Sequence, residues 1–198
     1  MQNGKVDTHR RRFLTTAATI IGGIGAVATT VPFISTMTPS AKTRAIGAPV
    51  EVDISKLRPG ERMIVKWQGK PVWILRRDQD TLVNIEEMDT WVRDPASEVA
   101  QQPEYARNEF RSIKPEYLVV IGLCTHLGCS PNYFPAEESS DLGADWTGGF
   151  FCPCHGSRFD MAGRVYKSVP APANLVVPPH KYISDTRILI GDDSGASI

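Results

Sequence analysis

The chain has 198 residues, with 22 basic and 22 acidic side chains and 41% hydrophobic content. This length and composition predict one globular domain with attached segments. The formal net charge of zero gives no electrostatic reason to expect a nucleic-acid partner.

The N-terminal segment, residues 1–12, is polar and ends in consecutive arginines. Arg10 and Arg11, followed closely by an apolar stretch, are typical of a twin-arginine export signal. That route carries proteins that have already folded. The alternative interpretation is a solvated basic tail.

Residues 13–37 contain no charged side chain and are predicted to form a transmembrane anchor. A helix of this length would span ~37 Å, which exceeds the roughly 30 Å hydrocarbon core of a bilayer. Residues 26–28 resemble a cleavage site, so a removed signal peptide is the alternative. The basic N-terminal flank places residues 1–12 in the cytoplasm and the globular part in the periplasm, as a single-pass protein of a bacterial inner membrane.

Residues 38–49 are rich in proline, serine, alanine and basic residues and show no apolar periodicity. This composition predicts a flexible hinge. The globular domain is then expected to cover residues 50–198.

The first part of the globular domain contains runs of residues that favour β-strands. Residues 63–67 and 72–76 are predicted strands, joined by a hairpin turn across 68–70. One short helix follows, with Asp80 as its predicted N-cap and 94–95 as its stop. Its apolar positions recur at helical spacing: Leu82, Ile85, Met88 and Val92.

The second part of the domain is predicted to consist of loops and short strands. Residues 95–116 lack any period and are predicted to form a surface loop, whereas 117–123 form an apolar strand. The proline- and acid-rich section 130–149 is predicted to bulge from the surface, its charges being Glu137, Glu138, Asp141 and Asp145. Final strands are expected at 175–177, 181–184 and 187–190, with His180 as a surface residue.

Two short stretches hold all four cysteines and two of the four histidines. The first reads Cys-Thr-His-Leu-Gly-Cys from Cys124, and the second reads Cys-Pro-Cys-His-Gly-Ser from Cys152. Each loop therefore offers thiolates and one imidazole, His126 in the first and His155 in the second. Two cysteines and two histidines fit a [2Fe–2S] centre of mixed ligation. The spacing does not decide which cysteine of the second loop is the ligand.

Two other arrangements of these residues compete. A structural zinc site also takes two cysteines and two histidines, but its ligands are usually two to four residues apart, and a single residue separates Cys124 from His126. A pair of plain disulfides would explain the even cysteine count of an exported protein. It would leave the two histidines and the repeated glycines, Gly128 and Gly156, unexplained.

The paired boxes resemble the two cluster boxes of the Rieske iron–sulfur subunit of ubiquinol–cytochrome c reductase, the respiratory cytochrome bc complex. The resemblance covers essentially the whole chain. It implies a mostly β fold: a Rieske-type antiparallel β-sandwich with an inserted cluster-binding subdomain at about 122–174, one short helix and a single N-terminal transmembrane helix. It also implies one Rieske [2Fe–2S] cluster.

The resemblance assigns a role to each residue of the two boxes. The implied iron ligands are Cys124, His126, Cys152 and His155. Cys129 and Cys154 are implied to form a disulfide, which by chain-entropy arguments is worth about 3 kcal/mol. His155 is implied to contact quinol and accept its proton, with Leu127 in the apolar docking tip. The proline-rich segment 169–172 is implied to cover the cluster from a third side, although a rigid turn is the simpler interpretation.

Two further positions are implied to tune the cluster. Ser157 stands where the family has a serine that donates to a bridging sulfide. Phe159 stands where many members carry a tyrosine whose hydroxyl bonds a ligand sulfur. Because phenylalanine cannot donate that bond, the reduction potential is expected to be lower than in tyrosine-bearing relatives.

The resemblance implies an electron-transfer subunit of a quinol–cytochrome c oxidoreductase. Its expected partners are cytochrome b, a c-type cytochrome, quinol (ubiquinol in particular) and the membrane, within a dimeric complex that contributes to the proton motive force. The isolated chain is expected to have no active site of its own. The alternative is the small Rieske subunit of a periplasmic arsenite oxidase. A soluble Rieske ferredoxin suits neither the anchor nor the second cysteine pair.

Overall fold

The computed structural model describes residues 7–135, 142–143 and 146–196. The acidic residues predicted to bulge from the surface (Glu137, Glu138, Asp141 and Asp145) lie outside these residues. The chain divides into two compact units, and the boundary between them falls after Ala45.

Helix α1, Thr8–Thr36, begins earlier than the predicted anchor and includes the twin arginines. Asp7 caps its first turn by accepting hydrogen bonds from the backbone N–H groups of His9 and Arg10. Among the described residues, the helical segment that α1 opens is the one long and apolar enough to cross a membrane. A signal sequence would have the same length and composition.

Most hydroxyl groups of α1 are paired within the helix itself. Six of its eight hydroxyl groups donate to a backbone carbonyl three or four residues earlier, as Thr19 does to Thr15 and Thr30 to Ala26. A hydroxyl that already has a hydrogen bond costs less to place in an apolar environment. These residues therefore do not prevent the helix from entering a bilayer.

Residues 38–49 contain a short helix, α2, Ala41–Gly47, where the sequence predicted no regular structure. Ser40 precedes it, and its Oγ accepts the backbone N–H of Thr43 at 3.1 Å. Alanine, lysine and arginine favour helices without any apolar period, and this helix is fully exposed. The hinge role of this segment stays a prediction.

Within the described residues, nine strands form three antiparallel sheets of three strands each, which confirms the mostly β fold. The base sheet has the order β1-β9-β8, the central sheet β2-β3-β4 and the cluster sheet β5-β6-β7. The strands are β1 Val50–Asp53, β2 Arg62–Trp67, β3 Lys70–Arg76, β4 Tyr117–Ile121, β5 Asn132–Phe134, β6 Gly149–Phe151, β7 Arg158–Phe159, β8 His180–Ser184 and β9 Arg187–Ile190.

The predicted hairpin between β2 and β3 is confirmed. Its two loop residues, Gln68 and Gly69, have φ angles of 49° and 77°. Positive φ at both positions is the signature of a type I′ turn, whose twist matches that of the flanking strands.

The central sheet supplies side chains to two cores. Val72 and Ile74 of β3 belong to the core shared with the base sheet, whereas Trp73 and Leu75 belong to the core beneath the cluster sheet. Alternate residues of a strand point to opposite faces, so a continuous apolar run serves both. On the cluster side the rings of Trp73 and Phe150 stack at a centroid distance of 5.0 Å.

Helix α3, Gln79–Glu87, is the predicted short helix, but its cap differs from the prediction. Asp78 is the N-cap, because its backbone is extended and its carboxylate accepts the N–H of Thr81 at 2.8 Å. Asp80 lies inside the first turn. The helix ends at Glu87 and continues as a 3-10 turn, Met88–Thr90, before the predicted stop at 94–95.

Residues 95–116 are not a simple surface loop, which corrects the prediction. The segment contains a 3-10 turn, Glu104–Ala106, and buries Ser97, Ala106 and Arg111 completely. The absence of an apolar period misled the prediction, because arginine and serine supply the buried groups here.

His180 is buried rather than at the surface, with 1% of its area exposed. It opens β8, its Nδ1 lies 2.9 Å from the carbonyl oxygen of Pro178, and its backbone N–H donates to the hydroxyl of Tyr105 at 2.7 Å. Burial lowers the pKa of His180, which favours the neutral ring.

The predicted strand at 175–177 is absent, although its backbone groups are paired. Leu175 donates to Gly163, Val176 accepts from Ile121, and Val177 donates to Gln101. Because the three bonds go to three different segments, no ladder forms.

Candidate metal centre

The first cysteine–histidine loop, residues 124–129, follows β4 and is closed by two backbone hydrogen bonds. Cys124 donates to the carbonyl of Cys129 at 2.7 Å, and Gly128 donates to the carbonyl of Cys124 at 2.9 Å. Gly128 has a φ of 82°, a region that glycine adopts without strain.

The second loop, residues 152–157, connects β6 to β7 and repeats this pattern. Cys152 donates to the carbonyl of Ser157 at 2.8 Å, and Gly156 donates to the carbonyl of Cys152 at 3.0 Å. Gly156 has a φ of 77°. The two loops therefore share one backbone design, with a cysteine at the first position and glycine at the fifth.

The structure brings the two thiols and the two imidazoles together. Cys124 and Cys152 are free and buried, and their thiols are close enough to interact. The rings of His126 and His155 meet edge-on at a centroid distance of 4.7 Å. The two sulfur donors are thus buried, and the two imidazoles adjoin each other.

The other two cysteines, Cys129 and Cys154, form a disulfide between the loops, with their Cα atoms 6.7 Å apart. The Sγ of Cys152 lies within 4.8 Å of both disulfide sulfurs. That trio could not bind a metal as thiolates, because two of its sulfurs are already bonded to each other.

Exposure differs between the two imidazoles. His155 is exposed, whereas His126 is half-buried. Leu127, next to His126, is 72% exposed despite being apolar. The tip of the domain thus presents one imidazole and one aliphatic side chain to the surroundings.

The proline-rich segment 169–172 and its neighbour Ala173 lie against both loops. Ala171 donates its N–H to the Oγ of Ser157 at 3.0 Å, and the hydroxyl of Thr125 donates to the carbonyl of Ala173 at 2.6 Å. Sequence reasoning did not single out Thr125, although a hydroxyl between two ligand candidates was the available signal.

The side chain of Ser157 also interacts with the thiol of Cys124. Burial raises the pKa of the Cys124 thiol, and this interaction with Ser157 acts in the opposite direction. Phe159 is fully buried in the same core as both free cysteines. A hydroxyl added to its ring would enter that core.

Behind the second loop, buried arginines surround the turn 160–163. Arg164 forms an ion pair with Asp160 at 2.7 Å, both side chains being almost fully buried. Arg111 donates to the carbonyls of residues 162 and 163, and Arg77 donates to the carbonyl of residue 161. The loop 95–116, which carries Arg111, thereby fixes the chain that leaves the cluster loop.

These guanidinium groups stay charged at neutral pH. Burial lowers the pKa of Arg77 to about 9 and the pKa of Arg111 to about 10. Sequence reasoning missed them, because isolated arginines in an irregular segment usually indicate a solvated surface.

A cavity of about 660 Å³ lies away from the two loops, between the 58–61 turn and α3. None of the four candidate ligands lines it. The chemistry that the loops allow is therefore placed at an exposed tip, which suits contact with a partner.

The donor set suits a [2Fe–2S] cluster of mixed ligation. Two buried thiols can bind one iron as thiolates, and two neighbouring imidazoles can bind the other through neutral nitrogens. The remaining sulfurs are removed from competition by their disulfide.

Comparison with known families agrees with this chemistry. Residues 49–179 match the Rieske [2Fe-2S] domain, and residues 1–40 match the family described as "Ubiquitinol-cytochrome C reductase Fe-S subunit TAT signal". The second match covers Arg10 and Arg11.

Close relatives share nearly the full length of the chain, and each is named ubiquinol-cytochrome c reductase iron-sulfur subunit. The protein from Allochromatium vinosum is 58% identical, over 97% of this chain and 93% of the relative. The protein from Bradyrhizobium diazoefficiens is 43% identical, over 92% and 94%, and that from Blastochloris viridis is 42% identical, over 92% of each. The chain therefore belongs to the Rieske iron–sulfur subunits of ubiquinol–cytochrome c reductase, which carry one [2Fe–2S] cluster.

Proposed function

We propose that the chain is the electron-transfer subunit of a quinol–cytochrome c oxidoreductase. It accepts an electron from quinol, ubiquinol in particular, at cytochrome b and passes it to a c-type cytochrome in a dimeric complex. The observation that carries this proposal is the exposed His155 ring beside two buried thiols and the exposed Leu127. The names of the close relatives favour it over an arsenite oxidase subunit.

The iron ligands in this proposal are Cys124, Cys152, His126 and His155. When bound, the cluster accepts one electron at a time, and its imidazole ligation raises the potential to about −150 to +300 mV. The disulfide holds the two ligand loops together, and the side chain of Ser157 interacts with the sulfur of Cys124, so both influence the shape of the site.

The exposed His155 is the group that meets quinol. One ring nitrogen of His155 would bind iron, and the other, once it has lost its own proton, would accept a hydrogen bond and then the proton from a quinol hydroxyl. His126 is more sheltered by the protein and is less accessible for this role. The electron and the proton therefore leave the quinol at the same contact.

Leu127 supplies apolar contact at the same tip. An aliphatic side chain that is 72% exposed gains hydrophobic stabilisation when a partner covers it. We place this side chain against the apolar walls of the quinol site on cytochrome b.

The anchor holds the protein in the inner membrane, with the twin-arginine end in the cytoplasm and the domain in the periplasm. Arginines on the N-terminal side of α1 support this orientation. Residues 38–49 would let the domain move between its two partners. Proline substitutions around 45–48 are expected to slow turnover without altering the cluster signal.

The metal assignment is tested by electron paramagnetic resonance of the reduced, purified protein, with resolution of nitrogen couplings. The expected result is a [2Fe–2S] signal coupled to two histidine nitrogens. A colourless protein that contains zinc, or a cluster without nitrogen ligation, would contradict the proposal.

The quinol contact is tested in the purified complex with the variant Leu127→Ala and the control Ile183→Ala. Ile183 is also exposed, at 46%, but lies on β8 of the base sheet. Quinol-dependent cytochrome c reduction should fall in the first variant only, with unchanged cluster spectra in both. Oxidation of arsenite instead of quinol would favour the alternative family member.

A further inference from the structure

One free cysteine lies beside the disulfide, and the other is not part of that trio. The sulfur of Cys152 is within 4.8 Å of both Cys129 and Cys154. Side-chain rotation closes gaps of this size on fast timescales. A thiol next to a disulfide is the starting arrangement for thiol–disulfide exchange, which needs no outside oxidant or reductant.

We propose that Cys152 is a latent nucleophile toward the Cys129–Cys154 disulfide, and that bound iron is what restrains it. In the metal-free protein the thiolate of Cys152 attacks the sulfur of Cys129. A Cys152–Cys129 bond forms, the Cys129–Cys154 bond breaks, and Cys154 leaves with the electron pair and takes up the proton that Cys152 lost. The number of disulfides and free thiols stays the same.

Two features select this product. Attack on Cys154 instead would close a ring over Pro153 alone, where the fixed proline φ leaves little room for disulfide geometry. Cys154 is exposed whereas Cys152 is 2% exposed, so exchange releases the new thiolate into water and buries the disulfide sulfur. A solvated leaving thiolate is the more stable one.

Exchange would make cluster loss self-locking. Cys152 would be held in a disulfide and could not bind iron. The thiol released in its place, Cys154, is not one of the proposed ligands. Iron would therefore have to bind Cys152 before the Cys129–Cys154 disulfide closes, or soon enough afterwards to prevent the exchange. The inference rests on the proposed function only in taking Cys152 as an iron ligand.

The test uses the full-length chain in detergent, with the cluster removed by a chelator at neutral pH without oxygen. The protein is unfolded in denaturant that already contains N-ethylmaleimide, so that buried free thiols are alkylated as well, and is then reduced and alkylated with iodoacetamide. Tandem mass spectrometry locates both labels. We expect the free-thiol label to appear on Cys154 and to decrease on Cys152, whereas cluster-loaded protein shows Cys154 only with the disulfide label. Metal-free protein with the free-thiol label on Cys124 and Cys152 alone would overturn the proposal.

Matched variants identify the attacking residue. In Cys124→Ser the free-thiol label should still reach Cys154, and in Cys152→Ser it should not. Label on Cys154 in Cys152→Ser would assign the exchange to Cys124 or to another molecule and would also overturn the proposal. Because the exchange is measured without metal, finding zinc in the purified protein would contradict the proposed function and leave this test unaffected.

Discussion

The loops 124–129 and 152–157 close through the same two backbone hydrogen bonds and the same glycine position, yet they carry their imidazoles one position apart. In the first loop the third position is His126 and the fourth is Leu127. In the second loop the third position is Cys154 and the fourth is His155. The fourth position is exposed in both loops.

This difference explains how a nearly symmetric frame yields an asymmetric site. The backbone exposes whatever stands at the fourth position, so the first loop presents an aliphatic side chain and the second presents an imidazole. The third position faces the partner loop, where it holds the sheltered imidazole or the disulfide. Position along a shared backbone, rather than loop shape, therefore decides which side chain is exposed and which is turned toward the other loop.

The largest expected effect concerns the support of the second loop, which the first loop does not share. Asp160→Ala removes the buried carboxylate that pairs with Arg164, so that buried guanidinium keeps only its ion pair with the half-exposed Asp89. Breaking one partner of a buried ion pair typically costs about 3–5 kcal/mol of unfolding free energy. Urea unfolding monitored by circular dichroism measures this loss.

The control for this change is Asp185→Ala. The carboxylate of Asp185 pairs with Lys114 and is fully exposed. Little change is expected there, because solvent screens such pairs. Equal stability of the two variants would contradict the structural role of the buried network.

Next in size is the link between the loops. Replacing Cys129 and Cys154 together by serine removes a disulfide that spans 25 residues, which should reduce the unfolding free energy by ~3 kcal/mol. The measurement compares metal-free variant and metal-free wild type in urea. Wild type treated with a reductant is the control and should match the double variant.

The equivalence of the two backbones is sharpened by Gly128→Ala and Gly156→Ala. A Cβ at either glycine meets no atom within 4 Å, so only the positive φ opposes it. Left-handed backbone costs a non-glycine residue roughly 1–2 kcal/mol, and the two losses should be equal. Gly47→Ala, also in open space but without a positive φ, should not destabilise. Clearly unequal losses in thermal unfolding would show that the loops are not equivalent.

The smallest effect is electronic. Phe159→Tyr places a hydroxyl in the core that contains both free cysteines, and a hydrogen bond to sulfur worth ~1 kcal/mol would raise the reduction potential by roughly 40 mV. Phe151→Tyr is the control, because its ring packs in a different core. A redox titration that shows no rise for Phe159→Tyr would refute the tuning role.

Local signals in the sequence predicted much of this molecule. Three features each follow from neighbouring residues, and all are present: the Gln68-Gly69 turn, the apolar strand before Cys124 and the helix over the long uncharged stretch. The two boxes pointed to the right cofactor chemistry. The cysteine pairing came from family resemblance, since spacing does not distinguish Cys152 from Cys154.

What could not be predicted depends on distant partners. Arg111 can be buried because it donates to a carbonyl 52 residues further along the chain, and His180 because its ring pairs with the carbonyl of Pro178. No local sequence pattern predicts either hydrogen bond. The backbone groups of residues 175–177 pair with three separate segments, so an apolar run there does not form a strand. Asp78 rather than Asp80 caps α3, because the helix begins at Gln79 and Asp80 already lies in its first turn.

The central sheet has a consequence for how the domain comes apart. Strands β3 and β4 contribute alternate side chains to both cores. If either core loses its packing, these shared strands are disturbed and the other core loses its packing too. The domain should therefore melt as a single cooperative unit, with the backbone amides of β3 and β4 the last to exchange with deuterated solvent.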